Sequence, residues 1–171
     1  SPGFFDKLVT HPNVQDAYRL WNEGIALRSD MRGGFPFAGV TFEEYAGEAS
    51  IPDGNGGWYI GGDFTSVGDS ARTYLAHIGP NGKATAWKPQ INKRVLDILV
   101  YGDTVFIAGR FTEVNGNASQ QYFAALDTVL GQSYAWAPTF NNLAQSLYID
   151  DSLLYVGGAF TLIDGQPRRC G

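Results

Sequence analysis

The sequence predicts an all-β fold assembled from repeated antiparallel units, a β-propeller in architecture. Three observations carry this. Gly61-Gly62-Asp63-Phe64-Thr65 recurs as Ala108-Gly109-Arg110-Phe111-Thr112 and as Gly157-Gly158-Ala159-Phe160-Thr161, at spacings of 47 and 49 residues. A period of that size marks stacked supersecondary units. The chain of 171 residues is rich in aromatics (14%) and poor in charged residues (17%), and its 22 glycines punctuate it with turns. That is the composition of many short strands. Further phrases keep the same order: Tyr74 to Ile78 matches Tyr122 to Leu126, and Ala86-Trp87-Lys88-Pro89 matches Ala135-Trp136-Ala137-Pro138.

Residues 1–43 lie outside the repeat. Val14, Ala17, Tyr18, Trp21 and Ile25 fall at helical spacing, so residues 13–26 read as a short amphipathic helix with Asn13 as its cap. Gly33-Gly34 ends any helix, and a strand is expected between Phe37 and Phe42. This stretch is expected to pack over the first repeat.

The second repeat is the clearest. Strands are expected over 95–100, 104–111, 122–127 and 133–136, with Tyr101-Gly102-Asp103 as a tight turn and Pro138 as a stop. Four antiparallel strands in about 48 residues make one blade. Blades are expected at about 46–90 and 94–139, with 143–171 an incomplete third, about two and a half in all. A closed propeller needs at least four. The open edge of the third is expected to be covered by further polypeptide or by a neighbouring chain. The paired glycines suit a close backbone approach and a bulge. Phe64, Phe111, Phe160, Trp87 and Trp136 are expected to be buried between blades.

These motifs in fixed order resemble the delta-sixty repeat, related in appearance to kelch and quinoprotein-like repeats, over residues 46–171. The resemblance implies a partial propeller in an exported or surface-anchored bacterial protein, with no catalytic set. Ala125-Leu126-Asp127, Gly131-Gln132 and Trp136 are also reminiscent of a quinoprotein docking motif, in which tryptophans lock neighbouring blades.

Several function classes are excluded or weakened by residue type. A net charge of −5 and a pI near 4.8 oppose a nucleic-acid footprint. No apolar run is long enough to span a membrane. Cys170 is the only cysteine, which rules out an internal disulfide or a cysteine-based metal site. Asp53-Gly54-Asn55-Gly56 begins like a calcium loop, but its twelfth position is Phe64 where a Glu ligand is required, so a hairpin turn is the expectation. His11 and His77 have no partner in sequence. No cofactor, metal site or catalytic set is expected. Asn117-Ala118-Ser119 forms a glycosylation sequon in a loop.

Positions that differ between repeats are the candidates for partner contact: Asp63, Arg110, Glu113, Asp69, Asn117 and Gln166. The expectation is a non-enzymatic propeller segment of an exported or cell-surface protein that binds protein or glycan at its loop face, in adhesion, recognition or assembly. The alternatives are a propeller enzyme acting on glycans and a purely structural part of a multiprotein assembly. The enzyme would need two carboxylates about 5 to 9.5 Å apart. Asp97 is the candidate on the first strand, and Glu48 is the only partner available to it.

Overall fold

The computed structural model describes residues 35–37, 40–42 and 46–167. These residues hold only strands, turns and loops, in small open antiparallel sheets. The expected helix at 13–26 lies outside them. A short hairpin of β1 (Phe35–Phe37) and β2 (Val40–Phe42) replaces the single strand expected there.

Two units share one plan. In the first, β3 (Ala46–Pro52) pairs with β4 (Trp58–Asp63), which pairs with β7 (Leu75–Ile78). Between them lies a small hairpin, β5 (Ser66–Val67) and β6 (Ser70–Ala71). In the second, β8 (Val95–Tyr101) pairs with β9 (Thr104–Gly109), and β9 with β10 (Phe123–Asp127). A third unit contributes β11 (Ala144–Asp150) paired with β12 (Leu153–Gly158), then a hairpin of β13 (Leu162–Ile163) and β14 (Gln166–Pro167).

Each sheet of the first two units has three strands, not four. The expected outer strand shrinks to isolated bridges, Ile78 with Ala84 and Leu126 with Ser133. Pro89 and Pro138 follow closely, and a proline cannot donate to a ladder. The described residues close neither a propeller nor a barrel.

The repeat reaches into backbone detail. The ladder skips one residue at the same place in every unit, between Gly47 and Ala49, Val95 and Asp97, and Ala144 and Ser146. The second glycine of the repeated phrase explains the bulge. A Cβ on Gly109 would collide with the Arg94 carbonyl oxygen, and one on Gly158 with that of Leu143. Gly109 and Gly158 are therefore required where the bulged strand crosses so closely. Tyr74 and Tyr122 both take left-handed backbone, at φ 64° and 67°. That conformation costs roughly 1–2 kcal/mol in a non-glycine residue. Matching bonds hold it: Tyr74 N–H donates to Phe64 O and Tyr122 N–H to Phe111 O, while Gly62 and Gly109 N–H donate back to the tyrosine carbonyls.

Alternation along the second strand of the second unit builds the core. Val105 and Ile107 face the first unit and pack with Tyr59, Leu75 and Trp87. Phe106 and Ala108 face the third unit and pack with Phe140, Ala144 and Phe160. The sheet is thus buried on both faces. Phe64, Phe111 and Phe160 are buried, as expected from the phrase. Gly61 completes the fit, because a Cβ there would lie 2.8 Å from Val95 Cγ1 of the next unit.

Candidate functional site

The most specific chemistry in the molecule lies where one unit meets the next. Trp87 leaves the first unit and donates its indole Nε1–H to the Asp127 carbonyl oxygen of the second, at 2.9 Å. The Asp127 side chain shapes the receiving turn. Its carboxylate accepts N–H bonds from Leu130 (2.6 Å), Gln132 (2.7 Å) and Val129 (2.9 Å). Burial pushes the Asp127 carboxyl up, but these amides and that of Gly131 outweigh it and hold it below the usual range. Asn115 Nδ2 donates to Gly131 O and anchors the turn to the loop closed by the Val114–Asn117 bridge. Gly131, at φ 72°, lies beneath Trp87 and Pro89, where a Cβ would meet Pro89 Cδ at 2.9 Å.

The next junction is tied differently. Asp97 Oδ2 accepts the Leu147 N–H of β11 at 2.7 Å, and Oδ1 accepts the Ile98 N–H at 2.9 Å. The candidate carboxylate for glycan hydrolysis therefore fastens two strands together. By register its counterpart in the first unit is Ala49, and in the third Ser146. Tyr101 and Ser152 hydroxyls bond across the same junction at 2.9 Å.

Beyond this junction the third unit turns an apolar face outward. Tyr148, Leu153 and Tyr155 are 58%, 62% and 52% exposed, and the two tyrosine rings lie 6.2 Å apart. Register aligns Tyr155 with Phe106 and Tyr59, the residues by which each earlier unit covers its successor. Among the described residues β12 pairs as a strand with β11. Trp136 is also exposed, against expectation. It rests edge-on to Phe106 and stacks with Tyr134, and among the described residues no turn like that of Asp127 lies over it.

His77, read from sequence as lacking a partner, has two. Its Nε2 lies 2.8 Å from Asp53 Oδ2 and its Nδ1 3.1 Å from Thr85 Oγ1, which accepts the Trp87 N–H. Tyr59 stacks on the imidazole at 4.4 Å. Asp53 also accepts the Asn55 and Gly57 N–H bonds that close the loop, so the expected turn at 53–56 forms. Burial raises the Asp53 carboxyl, but the Asn55 amide, His77 and the Gly57 amide together lower it below the usual range. The set pins a loop to β7. The signal available in sequence was loop length: five residues at 53–57 against two at 102–103.

The six candidate contact residues are dispersed. Asp63 ends β4, Arg110 follows β9, Asp69 sits in the turn between β5 and β6, Asn117 forms a bridge with Val114, and Gln166 lies on β14; all five are exposed. Glu113 is half-buried and lines an open cleft with Lys88, Gln90, Ile91 and Asn92 beside Ala71 of the first unit. Asn117 Oδ1 accepts the Ser119 N–H as part of its turn. Among the described residues no three His, Cys, Asp or Glu side chains gather as a metal site, and no helix is long and apolar enough to cross a membrane.

Comparison with known proteins adds one match. The family model of phage major capsid protein E matches residues 1–86, half of the chain. No curated protein and no solved structure matches it. The match spans the non-repeat segment and the first unit and stops just before Trp87. It overturns the resemblance to the delta-sixty repeat, which rested on short scaffold phrases in 46–171. With that resemblance go the secreted, cell-surface and adhesive propeller and its glycan partner. The chain belongs to the phage major capsid protein E family.

Proposed function

We propose that this chain is a structural, non-enzymatic component of a phage coat, acting by packing against other chains of the shell. The family match over residues 1–86 carries this reading. On this reading the chain acts in the virion, or in the host cytoplasm during assembly, in place of an exported location. The use of the carboxylates supports it. Asp53, Asp97, Asp127 and Asp164 each accept backbone N–H bonds that brace turns or join strands. A pair spent in this way is not poised for acid and base work across a substrate. The exposed residues Asp63, Asp69, Arg110, Asn117 and Gln166, with Glu113 in its cleft, are proposed as contacts to other coat chains. The test is mass spectrometry of purified particles of the phage that encodes the chain. Peptides spanning 46–167 at the copy number of a coat subunit are expected. Particles that lack the chain would overturn the proposal.

A further inference from the structure

We infer that Asn55 is a site of spontaneous deamidation, converted with water into aspartate and isoaspartate through a succinimide ring closed by Gly56. The chain contains three Asn-Gly steps, Asn55-Gly56, Asn81-Gly82 and Asn115-Gly116. A following glycine favours this reaction, because no Cβ shields the backbone nitrogen that must reach the side-chain carbonyl. By sequence the three steps are alike. The fold separates them by what it does to the two reacting groups, the side-chain amide and the next backbone N–H. At Asn115 the side-chain amide is held at both atoms: Oδ1 accepts the Gln90 N–H and Nδ2 donates to Gly131 O, each at 2.8 Å. At Asn81 the Oδ1 accepts the Lys83 N–H at 3.0 Å, and the attacking nitrogen is engaged too, since Gly82 N–H donates to Gly79 O at 2.9 Å. At Asn55 neither group is bonded among the described residues. Asp53 Oδ1 accepts the N–H on either side, from Asn55 at 2.7 Å and Gly57 at 2.8 Å, and leaves that of Gly56 to water. Residues 54–56 are exposed.

The Gly56 nitrogen gives up its proton and bonds to Asn55 Cγ. The Cγ–Nδ2 bond breaks, and Nδ2 leaves with that proton as ammonia. Water then opens the ring. Addition at the side-chain carbonyl breaks the new bond and gives aspartate. Addition at the backbone carbonyl breaks the original peptide bond and gives isoaspartate, with the main chain now running through Cβ and Cγ. Either product adds one negative charge to the formal −5. Isoaspartate also lengthens the main chain by one carbon just before Gly57, whose N–H helps Asp53 to close the loop that His77 pins to β7. The charge of the chain and the fit of this loop therefore change with its age.

Peptide mapping by mass spectrometry tests this on the full chain, incubated folded at mildly alkaline pH in water enriched in heavy oxygen. Asn55 should convert at least about tenfold faster than Asn81 or Asn115, the factor expected where a hydrogen bond must first be broken. The product should be a mixture of aspartate and isoaspartate carrying heavy oxygen in the new carboxylate. In denaturant, where these bonds are gone, the three steps should react at similar rates. Asn55→Gln, a change at an exposed side chain, should remove the main acidic species that accumulates on ion exchange. Equal rates at the three steps in the folded chain, faster reaction at Asn81 or Asn115, or an Asn55 that reacts only in denaturant would each overturn the inference. So would a main acidic species that persists in Asn55→Gln.

Discussion

Trp87 and Trp136 occupy equivalent places in successive units, 49 residues apart, yet one is 3% exposed and the other 60%. Their local sequences are nearly the same, Ala-Trp-Lys-Pro and Ala-Trp-Ala-Pro. The difference lies in what arrives from the following unit. Trp87 meets a turn built by Asp127, Asn115 and Gly131 that offers a carbonyl to its indole. Trp136 meets no such turn among the described residues. Among the described residues, burial here follows the pair of units rather than the tryptophan, and nearly the same motif meets two environments.

Truncation separates the two junctions most sharply. Trp87→Ala should cost about 3–5 kcal/mol, whereas Trp136→Ala should cost less than about 1 kcal/mol. Chemical unfolding of both variants gives the two values; equal losses would mean that the junctions are alike after all. Phe111→Ala, fully buried at the first junction, should match Trp87→Ala in size.

Acid should weaken the first junction selectively. The Asp127 and Asp53 carboxyls both titrate below the usual range in the folded chain. Their contribution is therefore complete above the unfolded value near 4 and is lost as pH falls through the folded values. The melting temperature should drop in that acid window. In Asp127→Asn the drop should be shallower, and an unchanged acid slope would remove Asp127 from the account.

A clamp shared by the second and third units gives the symmetric control. Asn92 and Thr112 exchange two bonds, Asn92 Nδ2 to Thr112 Oγ1 and Thr112 N to Asn92 Oδ1. Asn141 and Thr161 exchange the same two. Asn92→Ala and Asn141→Ala should each lose about 1 kcal/mol, measured by thermal melts. A larger loss for Asn92→Ala would show that the third unit is held more loosely than its partner, since Asn141 Oδ1 also accepts the Leu162 N–H.

The smallest effect concerns turns. Gly102 takes φ 57° at the tip between β8 and β9, but the matching turn of the third unit places Asp151 and Ser152 at φ 44° and 71°. Ser152→Gly should relieve backbone strain and gain up to about 1 kcal/mol. No gain would mean that loss of the Ser152 bond to Tyr101 offsets the relief.

The repeat was legible because Gly-Gly-x-Phe-Thr reports local geometry: its second glycine for the bulge and a ring for the junction. Strand positions followed from alternation, with ends shifted by one or two residues, as where Phe111 falls beyond β9. The outer strand was over-read, since Ser133 to Trp136 has strand-forming residues but makes only one bridge. Trp136 was misjudged because its motif says what it can fill, not whether the filling is supplied. His77 escaped notice because Asp53 lies 24 residues away and reaches it only through a longer loop. The family was illegible for a related reason. The conspicuous phrases belong to a scaffold many proteins can share, whereas the match covers a first half with only one copy of them.

Asp97 has a consequence for how such a chain can change. It reaches out of its own unit for the Leu147 amide, while the first unit presents Ala49 and the third Ser146 at the same position. The three copies are therefore not interchangeable parts. A recombinant in which the second and third were transposed would keep every glycine and every phenylalanine, yet it would strand a carboxylate away from its amide. Single side chains of this kind give the series a reading direction. They let duplication lengthen the array while discouraging any reshuffling of its order.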